Sequence, residues 1–331
     1  MSLSPITSVA VIRQARKTML ATLRRGLPTY RRWIGWQGGS GKYDVQWNAH
    51  ERFWVFANQW AILFGTDDPT PERMLNIVCT INSPKKNYNR RCAGLFVRDM
   101  DDAVYLTHSG KIGGGRKGIC KSAFLPNYRG AQETVAWADG KESEVIVIGR
   151  IDGERFVAQV ANFVREVQRF KTNATGRGDP AADAQQQRMP PAEPQFNEEF
   201  SGQRRGYHVR SKIETNCDHG LIVNALAKAL QAIGLKVAND KPRDLYVAGR
   251  SGKMKTLFEI KTDVSTSTIY QAIGQLLFHS DTQTQPPTLV MVLPTAPDAT
   301  TKCVLERLQI KVLVFGWQEH QPTFNNLMEI I

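Results

Sequence analysis

Apolar residues return every three or four positions from Pro5 to Arg25, where Ile6, Val9, Ile12, Met19 and Leu23 can share one face and Arg13, Arg16, Lys17 and Arg24 decorate the rest. The spacing predicts a helix, opened at Ser4-Pro5 and stopped by Gly26 and Pro28. Ala93–Arg98 and Val104–His108, joined by Asp99–Asp102, predict a β-hairpin, and Glu144–Ile151 a further strand. Phe156, Val160, Phe163, Val167 and Phe170 recur at helical spacing, so Phe156–Lys171 is expected to close a mixed α and β domain spanning 1–172. From 173 to 206 the pattern lapses. The run TNATGRGDPAADAQQQRMPPAEPQ offers almost nothing to bury and reads as a flexible linker.

Patterning resumes in a second domain, 207–331. The predicted order is a helix over about Asp218–Ile233 ended by Gly234, then strands at Leu235–Asn239, Asp244–Ala248 and Thr256–Thr262. A helix over Thr268–His279, a strand Thr288–Leu293, a helix Thr300–Leu308 and a strand Lys311–Gly316 follow. The fold class expected is therefore a two-domain α+β protein. No internal repeat is visible.

Charge changes the picture more than composition does. Residues 1–172 hold 26 Lys/Arg against 15 Asp/Glu, a net +11, whereas 173–200 are net −3 and 201–331 net +4. A basic excess gathered in the first half is the footprint of a polyanionic partner, nucleic acid first. Five scattered cysteines without a C-x-x-C pair argue for reduced thiols in the cytoplasm and against a disulfide framework or structural zinc. No stretch approaches about 18 uninterrupted apolar residues, which excludes a spanning helix.

Candidate chemistry centres on Thr256-Leu-Phe-Glu-Ile-Lys-Thr262. Alternation on a strand sends Phe258 and Ile260 one way and Glu259 and Lys261 the other. Asp244 opens the preceding strand after the Pro242-Arg243 turn, and pairing the two strands would bring it close to Glu259. Two carboxylates meeting at one point repel unless a cation lies between them. Oxygen ligands in small number suit Mg2+, which can polarise a phosphoryl oxygen and activate a bound water, with Lys261 orienting that water. A second acidic-x-Lys tripeptide, Asp139-Gly-Lys141, has no strand pattern and no upstream aspartate, and reads as a solvated turn.

With Pro242-Arg243-Asp244 followed by Glu259-Ile260-Lys261, the segment resembles the PD-(D/E)xK, or restriction-endonuclease-like, nuclease superfamily over about 110 residues. The resemblance implies a mixed sheet flanked by helices and Mg2+-dependent phosphodiester hydrolysis. It also implies Asp244 and Glu259 as metal ligands, Lys261 as the water-orienting residue, and a glutamine on the next helix, Gln271 or Gln275, near the site. Arg243 departs from the pattern by separating proline from aspartate. The first helix lacks the glutamate that many members carry, offering His219 and Asn224 instead, with Glu214 upstream.

In the first half, Lys111, Arg116 and Lys117 lie in a five-glycine stretch, and Lys85, Lys86, Arg90 and Arg91 interleave with Asn87, Tyr88 and Asn89. Both are candidate DNA phosphate contacts. Five of the seven tryptophans fall between Trp33 and Trp60 beside Arg31, Arg32, Lys42 and Arg52. Most are expected in the core, and the alternative is a base-stacking surface. Gly38–Lys42 lacks the spacing of a nucleotide-binding loop, so a nucleotide triphosphate is not expected. The sequence thus predicts an endonuclease of restriction or defence type whose first domain recognises a DNA sequence or modified base. A homodimer would supply two active sites for two strands. The alternatives are a defence nuclease with a signal-sensing first domain, RNA as substrate, and a DNA-binding protein with an inactive nuclease-like domain.

Overall fold

A computed structural model describes residues 3–36, 38–59, 61–82, 92–113, 118–128, 131–137, 140, 142–176, 209–240, 242–249, 253–280 and 286–331. Among these it is a mixed α+β structure with seven α-helices and three sheets. The described residues up to 176, with 209–217, form one compact unit, and 218–331 form another. No helix among them is long and apolar enough to cross a membrane, and all five cysteines are free.

In chain order the first unit contains β1 (Ser4–Pro5), α1 (Val9–Arg24), β2 (Thr29–Trp36), β3 (Gly39–Asn48), β4 (Phe53–Ala57), β5 (Ile62–Gly65), β6 (Leu75–Asn76) and β7 (Cys79–Thr80). Next come β8 (Gly94–Arg98), β9 (Val104–His108), α2 (Lys121–Phe124), β10 (Gln132–Ala136), β11 (Glu142–Arg150) and α3 (Phe156–Gly176). One sheet runs β1-β8-β9-β11-β10 and the other β6-β2-β3-β4-β5-β7. The predicted hairpin is β8–β9, with Asp99 Oδ1 accepting the Asp101 and Ala103 N–H groups across its turn.

Three expectations need correction. Ser4-Pro5 opens no helix but forms β1 on the edge of its sheet, where a residue without an N–H is tolerated; α1 begins at Val9. Gly38–Lys42 lies largely in β3, whose Gly39, Gly41 and Lys42 pair with Trp36, Ile34 and Trp33. Helix α3 continues past Lys171 to Gly176, into the segment expected to be linker. Asp139 and Lys141 lie outside the described residues; Gly140 between them takes φ +74 at the turn joining β10 to β11.

Helix α3 lays Phe156, Val160, Phe163, Val164 and Val167 into the first unit's main core with Met19 and Leu23 of α1 and Ile146 and Ile148 of β11. Each fully buried side chain of this size contributes roughly 1.5–3 kcal/mol. The helix rests so closely on β11 that a Cβ at Gly149 would lie 2.0 Å from the Gln159 amide oxygen.

The second unit contains α4 (Val209–Ala232, of which residues from Asp218 onward belong here), β12 (Val237–Asp240), β13 (Arg243–Ala248), β14 (Met254–Ile260), α5 (Thr266–Ser280) and β15 (Thr288–Leu293). Then follow α6 (Ala299–Arg307), β16 (Ile310–Gln318), β17 (Gln321–Phe324) and α7 (Leu327–Ile330). The sheet keeps sequence order, β12 to β17, antiparallel from β12 through β14, parallel from β14 through β16, and antiparallel again at β17. Alternation along β14 divides two cores. Phe258 and Ile260 meet Ile222, Leu226 and Leu230 of α4, whereas Leu257 meets Ile269, Ala272 and Leu276 of α5 and Leu305 of α6. The result is a sheet between two helical layers. Gly234 takes φ +83, the Leu235 N–H bonds the Leu230 carbonyl and the Gly234 N–H that of Gln231, a paired-bond helix stop that turns the chain into the sheet.

His108 of β9 is fully buried, its Nδ1 accepting the Gly110 N–H at 3.1 Å and its ring 4.9 Å from that of Phe163. Burial pushes its pKa down to about 4. The unfolded chain binds this proton near 6.5, so the contribution of neutral His108 is complete above pH 6.5 and is lost as pH falls towards 4, by roughly 3 kcal/mol. Hydrogen-exchange protection of β9 and α3 should decline over that window. In His108→Gln, which keeps an acceptor for Gly110, the pH slope should flatten.

Candidate functional site

The site forms where β13 and β14 stop pairing. Leu245 is opposite Phe258, and continuing the register one rung sets Asp244 against Glu259. The Ile260 N–H is not in the ladder with β13; it donates to Asp244 Oδ2 at 2.9 Å, so the carboxylate itself caps the strand pair. One residue further, the Lys261 N–H bonds the Val292 carbonyl and continues the parallel ladder to β15. Both neighbours of β14 thereby fix the Glu259-Ile260-Lys261 backbone.

Glu259 faces the α5 layer and is 2% exposed; Lys261 is 6% exposed. Lys261 Nζ donates to Glu259 Oε1 at 2.7 Å and to Gln275 Oε1 of α5 at 2.8 Å. From the opposite layer, His219 of α4 brings Nε2 to 3.2 Å from Asp244 Oδ2 and 3.1 Å from the Ile260 carbonyl oxygen. Each helical layer therefore sends one polar side chain to the same end of the sheet. Arg243, the residue that interrupts the Pro-Asp step, is held away by Asp240, to which it forms an ion pair, and stacks over Tyr246.

The electrostatics separate the two carboxyl groups. Burial works to raise Asp244, but His219, Lys261 and the Ile260 N–H together hold it below the usual carboxylate range. Glu259 is pushed up to about 8 by burial first and by the Asp244 carboxylate second, with Lys261 opposing. Left to itself, then, the pocket carries one carboxyl group more than its cations can keep ionised. Among the described residues no group of three or more His, Cys, Asp or Glu side chains is gathered to hold a metal. A magnesium-class ion needs no such group, since it takes one or two protein carboxylates and completes its shell with water and phosphate. Asp244 and Glu259 fit that demand, and a divalent cation would restore Glu259 to its ionised form.

Of the residues singled out in the sequence, Asp244, Glu259 and Lys261 are brought together. Gln275, not Gln271, meets Lys261; Gln271 is exposed one turn earlier. Both glutamines lie on a helix of similar polarity, and which one faces inward depends on how α5 is rotated on the sheet. His219 belongs to the site as well. It stands well inside α4, which begins at Val209 and not near Asp218. Glu214 is in the same helix, but its side chain lies outside the described residues.

In the first unit, Lys111 is exposed just beyond β9. Arg116, Lys117, Lys85, Lys86, Arg90 and Arg91 lie outside the described residues, as does Trp60. The other four clustered tryptophans divide: Trp47 and Trp54 are buried, and Trp33 and Trp36 are exposed. Two arginines beside them serve the fold. Arg32 donates to the carbonyls of Pro69 and Thr70, and Arg31 pairs with Asp44 across β2 and β3.

Compared with family models, with curated proteins and with solved structures, the chain matches none.

The Glu259 geometry makes a direct statement about acidity. The unfolded chain releases this proton near 4.5 and the folded chain near 8, so the chelator-treated protein binds more protons folded than unfolded across that window. Its second unit should therefore lose stability as pH rises from 4.5 towards 8. Protection of the β14 amides against hydrogen exchange, measured in EDTA, should fall over this range in wild type and stay level in Glu259→Gln.

Proposed function

We propose that the chain is a divalent-metal-dependent endonuclease of restriction or defence type, with Asp244, Glu259 and Lys261 as its catalytic centre and DNA as its substrate. The observation that carries this reading is a single rung. Two carboxyl groups from paired strands meet there, with a buried ammonium hydrogen-bonded to the one that burial and its neighbour discharge. The element order of the second unit supports it too: a helix, three antiparallel strands, a helix and a parallel strand match the core of the PD-(D/E)xK nucleases that the sequence resembles.

Magnesium is the metal the oxygen donors favour; when bound by Asp244 and Glu259 it would polarise a phosphoryl oxygen and lower the pKa of a coordinated water. The protein groups divide the remaining work. The Ile260 N–H and His219 hold Asp244 in its ionised form and orientation. Lys261, fixed by Glu259 and Gln275, presents its ammonium where it can orient the attacking water and stabilise charge on the phosphate. Hydrolysis then joins the water oxygen to phosphorus as a P–O ester bond breaks, and a proton from solvent completes the departing alcohol. The net +11 of residues 1–172 would draw the polyanion to the chain. Two copies of the chain, as a homodimer, would supply the two centres that cutting both strands requires.

Glu259→Ala and Lys261→Ala should each lower Mg2+-dependent plasmid cleavage by about a hundredfold or more, with DNA binding in a gel-shift assay little changed. Undiminished cleavage in either variant overturns the site. A wild type that cuts neither methylated nor unmethylated DNA, nor RNA, overturns the reading in favour of a non-catalytic DNA-binding role. The two glutamines give a finer check: Gln275→Ala should slow cleavage roughly tenfold to a hundredfold by loosening Lys261, and Gln271→Ala should leave it unchanged.

A further inference from the structure

We infer that His219 is itself a ligand of the cation, giving the site a nitrogen donor and a preference for Mn2+ over Mg2+. This rests on the nuclease reading and goes further by assigning the first helix its part in it. His219 is the one imidazole at a site otherwise built of oxygen donors, and its Nε2 approaches two of them at once, Asp244 Oδ2 at 3.2 Å and the Ile260 carbonyl at 3.1 Å. Two donors about 2.1 Å from one octahedral cation and at right angles to each other are about 3 Å apart. The three atoms therefore already stand at the separation expected of neighbouring ligands on one face of such an ion. One of the three is a backbone oxygen, so the set does not depend on a third acidic side chain. The first helix supplies His219 at the place where an acid would make the site purely oxygen-donating.

The chemistry follows from donor type. Imidazole is a borderline ligand that suits manganese and later transition ions, whereas magnesium favours carboxylate, carbonyl and water. Exchanging one oxygen donor for nitrogen weakens Mg2+ relative to Mn2+ without altering the carboxylates. A hydrogen bond from His219 to Asp244 that only orients the carboxylate would act on both metals alike.

The test is pulsed EPR of Mn2+ bound to the full chain, with calorimetric titration of Mn2+ and Mg2+ into wild type, His219→Gln, His219→Asn and Glu259→Gln, each checked by thermal melting. Wild type should show 14N coupling to the bound Mn2+, and both His219 variants should lose it. Mn2+ affinity should fall at least about tenfold in the His219 variants, and Mg2+ affinity should change much less. Bound Mn2+ without 14N coupling, or equal loss for both metals, overturns the assignment of His219 while leaving the nuclease reading intact. Wild type that binds neither metal, or binds both unaffected by Glu259→Gln, overturns the nuclease reading and this inference with it. The wild-type spectrum decides the matter even if the His219 variants do not fold.

Discussion

The second unit depends on how β13 and β14 part. Up to Leu245 and Phe258 the strands are held by an ordinary antiparallel ladder, and beyond that rung the backbone of β14 bonds to a side chain, Asp244. This substitution costs no hydrogen bond, because the Ile260 N–H remains satisfied by a charged acceptor. It also leaves the Ile260 carbonyl turned towards His219, at the edge where the strands separate. A small divergence between two strands thus opens a polar end in a sheet that is otherwise apolar on both faces.

Holding that end open is expensive by the ordinary standards of a core. Glu259 and Lys261 are both nearly excluded from water, and a buried ion pair gains from Coulomb attraction little more than it loses in desolvation. Asp244 then tips the balance against a charged Glu259. The surroundings tolerate this because the two apolar cores on either side of the sheet lie directly behind the site, packed by α4 on one face and by α5 and α6 on the other. Structures commonly place such tension where function requires it, and perturbed acidity of this kind clusters at reactive sites. The rigid sheet fixes the carboxyl groups, while the helices contribute His219 and Gln275, whose longer reach sets the detailed geometry.

The first unit has a different character. Its core is closed by α3 across β11, and its second sheet gathers the aromatic residues, with Trp54 wholly inside and Trp33 and Trp36 at the surface. The basic residues nearest those tryptophans are engaged with the fold through Pro69, Thr70 and Asp44. The excess positive charge of this half is therefore not equivalent to a set of free phosphate contacts, and local arrangement has to be considered residue by residue.

Period and alternation alone located the elements of the second unit. A strand at Thr288–Leu293 and the Gly234 stop read directly from the chain, because a buried parallel strand is a continuous apolar run and an αL helix end favours glycine. Alternation equally determined that Glu259 and Lys261 share a face, a matter of strand geometry independent of context. The second sheet of the first unit was not legible: β2 and β3 mix Gly, Arg and Trp, their pairing is long-range, and composition of that kind argues for loops. Tertiary structure alone decided that Ser4-Pro5 joins a sheet edge, that α5 turns Gln275 and not Gln271 towards Lys261, and that His219 reaches Asp244. Those outcomes depend on the rotation and docking of whole elements, and the energies that set them come from side chains far away in sequence. Local pattern fixes which residues can face inward together; only packing between layers selects what they meet.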